Sequence, residues 1–219
     1  MSTAPVLRIK GAAKFFGPKL VFRDVTCAVA AGEVLLVAGP NGAGKTTLLK
    51  VMAGLAPATA GLVECNAAPE RTAYLGHATF IYPALTALQN LGFWARMYGL
   101  SAKRERLLVI LERVGLARVA EERAGSFSRG MSQRLNLARV FLVEPELLFL
   151  DEPGTGLDVA SIALLRREIT GLRAAGTAVV WISHHVAEDR LLADSVLALG
   201  GNTVRWYGPA RDYEPEAVC

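Results

Sequence analysis

One short segment near the start of the chain has residue types and spacing suited to binding phosphate. The run GPNGAGKT, Gly39 to Thr46, matches the pattern G-x-x-x-x-G-K-[ST]. Gly39, Gly42 and Gly44 can adopt backbone angles that are closed to residues with side chains, so that successive amide N–H groups can turn inward around an anion. The apolar run Val34–Ala38 before the loop indicates a strand, and the residues after the loop indicate a helix whose N-terminus adds donors. This order favours a phosphate-binding loop over the alternative, a chance glycine turn before a helix.

Two side chains of this loop carry chemistry of their own. Lys45 is placed to reach the β- and γ-phosphates of a nucleoside triphosphate, and the Thr46 hydroxyl is placed to help hold Mg²⁺. The sequence therefore predicts a nucleoside triphosphate site that uses Mg²⁺. The residues expected to contact the nucleotide in this segment are Gly39, Pro40, Asn41, Gly42, Ala43, Gly44, Lys45, Thr46 and Thr47.

A second candidate segment lies about a hundred residues further on, where four apolar residues, 147–150, precede Asp151 and Glu152. A strand buried on both faces brings its last residues to the carboxyl end of a parallel sheet, where ligands of α/β proteins bind. Asp151 at that position could hold Mg²⁺ through water, and Glu152 could orient or deprotonate an attacking water molecule. Alone this pattern is often only the end of a strand, but together with the phosphate loop it predicts the second half of a nucleotide site.

The elements that must position these residues alternate between strands and helices, which indicates an α/β fold. Turn signals at Gly17–Pro18 and at Gly200–Asn202 separate strands that are adjacent in sequence. Strands are predicted at residues 6–9, 20–29, 34–38, 62–65, 72–75, 147–150, 178–182, 195–199 and 203–207. Helices are predicted at residues 46–53, 86–114 with a break at Gly99, 131–142 and 159–173.

Composition excludes several classes of protein. With 219 residues, 52% of them hydrophobic and 20% charged, the chain suits one domain with a real core rather than a disordered segment. The net charge of +4 is spread along the chain, so we expect no nucleic-acid partner. The apolar runs are too short to span a membrane, and the first ten residues lack the apolar region of a secretory signal. Cys27, Cys65 and Cys219 have no metal-ligand spacing and are interpreted as reduced thiols of a cytosolic protein.

Four further motifs resemble those of ATP-binding-cassette (ABC) ATPases. The segment 127–134, FSRGMSQR, resembles the family's signature, normally L-S-G-G-Q followed by Q-R. The segment 156–158, GLD, resembles its D-loop, and Ser183-His184, with Glu188 four residues after the histidine, resembles its switch-histidine motif. Phe16 stands where the family has an aromatic residue that stacks on adenine. The resemblance covers nearly the whole chain, from Phe16 to Glu188.

The resemblance implies a fold as well as a site. The implied fold is that of a P-loop NTPase of the ABC ATPase type, with a mainly parallel core sheet, an N-terminal antiparallel β-subdomain and an inserted α-helical subdomain. Residues 1–219 are expected to form a single ABC ATPase domain, with the helical subdomain at approximately residues 84–135.

The resemblance also implies an ATP site shared between two chains. Ser128 and the Gly130 amide, at a helix N-terminus, would bind the γ-phosphate held by the Lys45 loop of a second copy, so that two chains close around two ATP molecules. Hydrolysis would use ATP and Mg²⁺, with Glu152, His184 and Lys45 as the catalytic residues and Asp158 at the seam between the copies. Simpler interpretations remain open, since Phe16 could be a core residue and Asp158 a helix N-cap. His185 is an alternative to His184, but only His184 has the family's spacing to Glu188.

Two departures from the family pattern affect these expectations. The signature has Phe127, Arg129 and Met131 where leucine, glycine and glutamine are usual, although Ser128 and Gly130 remain. His77 stands in place of the glutamine that contacts Mg²⁺ and the water, so metal geometry and hydrolysis rate are expected to differ from the family's usual ones.

The resemblance also predicts partners and a location. An ATPase of this family without a membrane segment drives a separate integral membrane subunit, and the chain is expected to lie in the cytoplasm, peripherally on the inner face of the cell membrane. About half of the aromatic and apolar residues in the region that contacts such subunits are expected to be surface-exposed and to form a groove for a partner helix, while the others belong to the core. The whole set is Phe80, Ile81, Tyr82, Phe93, Trp94 and Tyr98.

Within the family, Tyr74-Leu75-Gly76-His77 and the segment 85–91 are most similar to the ATP-binding subunit of the cytochrome c maturation haem exporter. The chain itself is not expected to bind haem. Exporters of drug or lipid type, and soluble ABC ATPases of iron–sulfur assembly, are alternatives. A small-molecule kinase with the same loop is a further alternative, but it would lack Ser128-Arg129-Gly130.

Overall fold

The computed structural model describes residues 4–76 and 78–215 and places their strands in two sheets. His77 and Cys219, both named above, lie outside the described residues. The strands are β1 (Leu7–Phe16), β2 (Lys19–Val29), β3 (Val34–Ala38), β4 (Ala60–Cys65), β5 (Thr72–Leu75), β6 (Leu147–Asp151), β7 (Ala178–Ile182), β8 (Ser195–Gly200) and β9 (Thr203–Pro209). The helices are α1 (Lys45–Met52), α2 (Ala87–Met97), α3 (Arg104–Arg113), α4 (Arg129–Phe141), α5 (Val159–Ala174) and the short α6 (Val186–Asp189).

The larger sheet has the order β5-β6-β7-β3-β8-β9, and it is parallel except for the edge strand β9. Every residue of β3, β6 and β7 is buried, as expected for parallel strands covered on both faces. Successive side chains alternate between two cores: Leu36 packs with α4 and α5, whereas Leu35 and Val37 pack with α1 and the smaller sheet. The predicted α/β class and the mainly parallel core sheet are confirmed.

The smaller sheet is antiparallel, in the order β2-β1-β4, and it confirms the predicted N-terminal β-subdomain. The predicted strand at residues 6–9 was too short, because β1 continues to Phe16. The continuation passes through irregularities in the pairing register between Ile9 and Phe15, which break the alternating pattern that sequence reasoning depends on. The predicted turn at Gly17–Pro18 connects β1 to β2, with Gly17 at a φ of 56°.

The predicted helical region at residues 86–114 is two helices, α2 and α3, which pack on each other and on α4. Thr86 and Gln89 form a reciprocal capping box that starts α2. The chain leaves α2 through Gly99, whose φ of 68° suits glycine, and this is the break that the sequence predicts. The inserted helical part of the fold is therefore present, while the bounds 84–135 given to it as a subdomain stay a prediction.

Both described cysteines are free thiols. Cys27 lies in the core, where burial raises the pKa of its thiol to about 12, and Cys65 is exposed. Over residues 4–76 and 78–215, no helix has the length and apolar character needed to cross a membrane.

Candidate nucleotide site

The phosphate loop joins β3 to α1, and its shape depends on glycine at two positions. Gly39 has a φ of 135°, and a Cβ at this position would lie 2.3 Å from the carbonyl oxygen of Leu199 in β8. Gly44, the N-cap of α1, has a φ of 94°, and a Cβ there would lie 2.8 Å from Cγ1 of Val21. Side chains at either position would therefore collide with a neighbour in a backbone conformation that they already disfavour.

Lys45 begins α1, and its side chain turns back over the loop. Its Nζ donates to the carbonyl oxygens of Gly39 (2.8 Å) and Pro40 (3.1 Å), and only 7% of the residue is exposed. Burial lowers the pKa of Lys45, and the nearby carboxylates of Glu152 and Asp151 act in the opposite direction. A partly desolvated ammonium held in this way is a strong binding group for phosphate oxygens.

Asp151 ends β6 and is 2% exposed. Its Oδ1 accepts a hydrogen bond from the Thr46 hydroxyl (3.0 Å), and its Oδ2 accepts one from the Tyr74 hydroxyl (2.8 Å). The predicted meeting of Thr46 and Asp151 is thus present, 105 residues apart in sequence. Tyr74 was not predicted as part of the site, because its approach depends on the register that places Tyr74 beside Phe149.

Glu152 and His184 meet at the carboxyl ends of the neighbouring strands β6 and β7. Glu152 has a φ of 54°, which is rare for a residue with a side chain, and its amide donates to the carbonyl oxygen of Ile182 (3.0 Å). The carboxylate Oε2 lies 2.7 Å from Nε2 of His184. The ring of His184 makes this contact, whereas His185 donates its backbone N–H to the Ser183 hydroxyl (2.9 Å).

The segment after β7 is anchored by a residue that sequence reasoning missed. Asp189, at the end of α6, is 2% exposed. It accepts a hydrogen bond from the Ser183 hydroxyl and one from Nε of Arg166 in α5 (2.7 Å). Glu188, singled out from its spacing to His184, is exposed. An acidic residue on the buried side of a single helical turn gives no sequence signal that distinguishes it from its exposed neighbour.

Lys45, Thr46 and Glu152 line a cleft of about 350 Å³. Phe16 stands at its edge with 58% of its surface exposed, so the alternative that Phe16 is a core residue is wrong. Stacking of adenine on this ring stays a prediction. The residues that line the cleft are Phe16, Lys19, Leu20, Val21, Asn41, Gly42, Gly44, Lys45, Thr46, Thr47, Glu152 and Asn202.

Comparison with known proteins agrees with this geometry. Residues 22–155 match the family model described as "ABC transporter". The chain belongs to the ABC transporter family. A solved structure described as the ATP-binding subunit of an ABC transporter superposes on this cassette with a TM-score of 0.85 and 31% identity, over 94% of this chain and 91% of that one. The fold is that of an ABC ATPase domain.

Curated relatives of this ABC cassette differ in the roles that their names describe. The cytochrome c biogenesis ATP-binding export protein CcmA of Cereibacter sphaeroides is 40% identical over 168 residues, 77% of this chain and 77% of that protein. The linearmycin resistance ATP-binding protein LnrL of Bacillus subtilis is 32% identical over 202 residues, 87% of this chain. The chain spans about two thirds of the length of the first curated relatives that it matches, 65% and 66%.

The residues that resemble the family's signature and D-loop lie close to one another and do not line the cleft. Ser128 is the N-cap of α4, and its hydroxyl oxygen accepts a hydrogen bond from the amide of Met131 (3.2 Å). Asp158 is the N-cap of α5 and accepts a hydrogen bond from the amide of Ser161 (2.8 Å), so its simpler interpretation as a cap is confirmed.

The guanidinium of Arg129 packs against Gly156 closely enough that a Cβ on Gly156 would lie 2.8 Å from it. In the described part of the chain, Ser128, Gly130 and Asp158 are not among the residues that line the cleft.

Proposed function

We propose that this cassette binds ATP with Mg²⁺ and hydrolyses it as the ATP-binding subunit of an ABC transporter. The observation that carries the proposal is the convergence of Lys45, Thr46, Asp151, Glu152 and His184 at the carboxyl edge of the parallel sheet. This edge is where α/β proteins bind their ligands. The family match and the solved relative support the same conclusion.

The residues present fit Mg²⁺. The Thr46 hydroxyl donates a hydrogen bond to Asp151 Oδ1 and so keeps its oxygen lone pairs for a cation. Mg²⁺ prefers oxygen ligands and keeps several waters, so one hydroxyl, the phosphates and water suffice. Asp151 is buried with both oxygens hydrogen-bonded, and it would therefore act through Thr46 and a bound water. Bound Mg²⁺ would supply positive charge that offsets the charge of the phosphates.

Other residues would divide the remaining tasks. Lys45 would exchange its loop carbonyls for β- and γ-phosphate oxygens and neutralise part of their charge. Glu152 would accept a proton from the attacking water, and the contact with His184 would hold its carboxylate in place. His77 stands at the position where the family has a glutamine. Its contact with the nucleotide site is proposed from the sequence alone.

We further propose that the site is completed by a second copy of the chain. Ser128 and Gly130 sit at the N-terminus of a 13-residue helix, where free amides and the helix dipole favour an anion. Because neither residue lines the cleft of its own chain in the described structure, their contact with a γ-phosphate requires another chain. Asp158, beside them at the start of α5, would lie at the same interface between the two copies.

The proposed membrane partner would dock on an aromatic face made of Phe80, Ile81, Tyr82, Phe93, Trp94 and Tyr98. Trp94 is central: its ring lies 5.4 Å from that of Phe93 and 5.6 Å from that of Tyr98, and its Nε1 donates to the Phe80 carbonyl (3.0 Å). Phe80, Tyr82 and Tyr98 are exposed, at 58%, 43% and 36%, so the prediction that about half of the set is exposed is confirmed. Packed aromatic rings at a surface are typical of docking sites for an apolar helix. Such docking would place the chain peripherally on the cytoplasmic side of the membrane.

Replacing Tyr82 with glutamate is expected to release the cassette from its membrane subunit. A carboxylate at the centre of an apolar interface has no partner, and loss of a central contact residue costs about 2 kcal/mol or more of binding energy. The measurement is co-purification of a membrane protein with the tagged cassette in detergent. ATP turnover of the isolated cassette should stay within about twofold of the unmodified value.

Val109→Glu provides the matched control, because Val109 is 64% exposed and lies on α3, outside the aromatic face. Equal retention of the membrane protein by both variants, or co-purification of a soluble partner instead, would remove the docking proposal.

We propose haem export in c-type cytochrome biogenesis as the specific role. Its support is the 40% identity to CcmA together with the segment Tyr74-Leu75-Gly76-His77. Export of a drug-like molecule is the second candidate, supported by the identity to LnrL over 87% of this chain.

Deleting the gene is expected to abolish covalently bound haem in c-type cytochromes, as measured by haem staining, and complementation should restore it. Normal cytochromes together with new antibiotic sensitivity would favour the second candidate.

A further inference from the structure

Tyr74 contacts the carboxylate that the nucleotide site uses, from the side opposite Thr46. Its hydroxyl donates to Asp151 Oδ2 at 2.8 Å, while Oδ1 accepts from Thr46 at 3.0 Å. The two hydroxyl groups thus fix both oxygens of a carboxylate that is 2% exposed. A buried carboxylate held at both oxygens has one defined orientation.

The phenol is a permanent donor in this setting. A phenol is protonated at physiological pH because its ordinary pKa is about 10, so the Tyr74 hydroxyl donates its hydrogen bond to Asp151 Oδ2 (2.8 Å). A hydrogen bond to an ionised group is roughly twice as strong as one between neutral groups.

The backbone that carries Tyr74 is fixed from two directions. Parallel pairing of β5 with β6 sets Tyr74 beside Phe149, two residues before Asp151. On the other side, Arg139 of α4 donates from Nη2 to the Tyr74 carbonyl (3.4 Å). Arg139 is 8% exposed and is itself held by the Tyr98 hydroxyl (2.7 Å). These contacts fix the backbone from which the Tyr74 hydroxyl reaches the carboxylate.

We propose that Tyr74 is a positioning residue of the magnesium site, which holds Asp151 so that its Oδ1 remains directed at Thr46. The proposal rests on the ATP- and Mg²⁺-binding function proposed above. Groups that orient a metal site from outside its ligands often change metal affinity by 10- to 100-fold when removed. Tyr74 touches no reacting atom, so its effect should appear in Mg²⁺-dependent binding and not in nucleotide binding as such.

Tyr74→Phe tests the proposal, because it keeps the ring and deletes only the hydroxyl. The measurement is the affinity of the full chain for a fluorescent ATP analogue, titrated with Mg²⁺ and repeated in EDTA. We expect the Mg²⁺ concentration that gives half of the maximal gain in analogue affinity to rise about tenfold. The affinity for the analogue in EDTA should change by less than twofold. The electron paramagnetic resonance spectrum of Mn²⁺ with the nucleotide should also change. The melting temperature without nucleotide provides the check on folding.

Tyr207→Phe is the matched control, since the Tyr207 hydroxyl bonds the backbone of Ala28 at 3.2 Å on a different edge of the sheet. It should leave the Mg²⁺ titration unchanged. An unaltered or tighter Mg²⁺ response in Tyr74→Phe, or an equal loss of affinity with Mg²⁺ and in EDTA, would overturn the positioning role. If the unmodified chain shows no Mg²⁺-dependent nucleotide binding, the proposed function itself fails, which is a distinguishable result.

Discussion

Replacing Glu152 with glutamine is expected to lower ATP turnover by about 10²- to 10⁴-fold, the usual contribution of a general base. Glutamine has the size and shape of glutamate, and its amide can still bond with His184, which lies 2.7 Å from the carboxylate. It cannot accept a proton from water, so the chemical step fails while ATP binding continues. If ATP joins two copies before it is cleaved, this variant should accumulate as an ATP-bound dimer. Phosphate release and size-exclusion chromatography with ATP and Mg²⁺ measure the two effects.

Glu144→Gln supplies a closely matched control. Glu144 is also a glutamate with a positive φ, 46° against 54° for Glu152, and its side chain is 76% exposed. The same chemical change in a similar backbone conformation should leave ATP turnover within about twofold of the unmodified rate. Turnover of Glu152→Gln near the unmodified rate would exclude Glu152 as the base. A slow variant that stays monomeric with ATP would instead contradict the joining of two copies.

Replacing Ser128 with aspartate is expected to reduce hydrolysis by about 10²-fold or more, comparable to the loss of one group that stabilises a developing charge. Aspartate is as good an N-cap as serine, so the bond to the Met131 amide and the start of α4 should persist. Its negative charge would face the γ-phosphate that the Ser128 hydroxyl is proposed to contact. Turnover and the melting temperature are the measurements, and only turnover should change.

ADP separates this effect from damage to the binding cleft. ADP has no γ-phosphate, so Ser128→Asp should bind it as the unmodified chain does. Ser128→Thr keeps both the cap and the hydroxyl donor and should retain most of the activity. Full hydrolysis by Ser128→Asp, or brisk turnover by a single chain that needs neither Ser128 nor Gly130, would refute a site shared between two copies.

The parts of the site that sequence reasoning found are those that the local chain encodes. The apolar strand, the glycine pattern and the start of the next helix are contiguous in sequence, and the fully buried parallel strands β3, β6 and β7 end at one edge of the sheet. Lys45, Thr46, Asp151 and Glu152 were therefore expected at this edge from the residues themselves, whereas His184 was expected there only from the resemblance to ABC ATPases. The helix and strand assignments followed from periodicity for the same reason, with errors mainly at element ends.

Contacts that depend on register and packing could not be read in the same way. Tyr74 reaches Asp151 because β5 pairs with β6 in one particular register, and a shift of one residue would turn its ring to the other face. Asp189 rather than Glu188 is buried because of how α6 sits against α5, through Arg166. The extension of β1 to Phe16 depends on a pairing irregularity that carries no sequence signal.

The hydrogen bonds inside the phosphate loop affect both the rate of ligand association and its cost in conformational entropy. Lys45 Nζ ties together the Gly39 and Pro40 carbonyls, and the amide of Ala43 donates to Pro40 (3.2 Å), so the segment is braced by its own atoms. A phosphate loop that is preorganised in this way loses little conformational entropy when it binds an anion. Association should therefore approach the speed of a rigid receptor, with only the lysine side chain needing to change its partners.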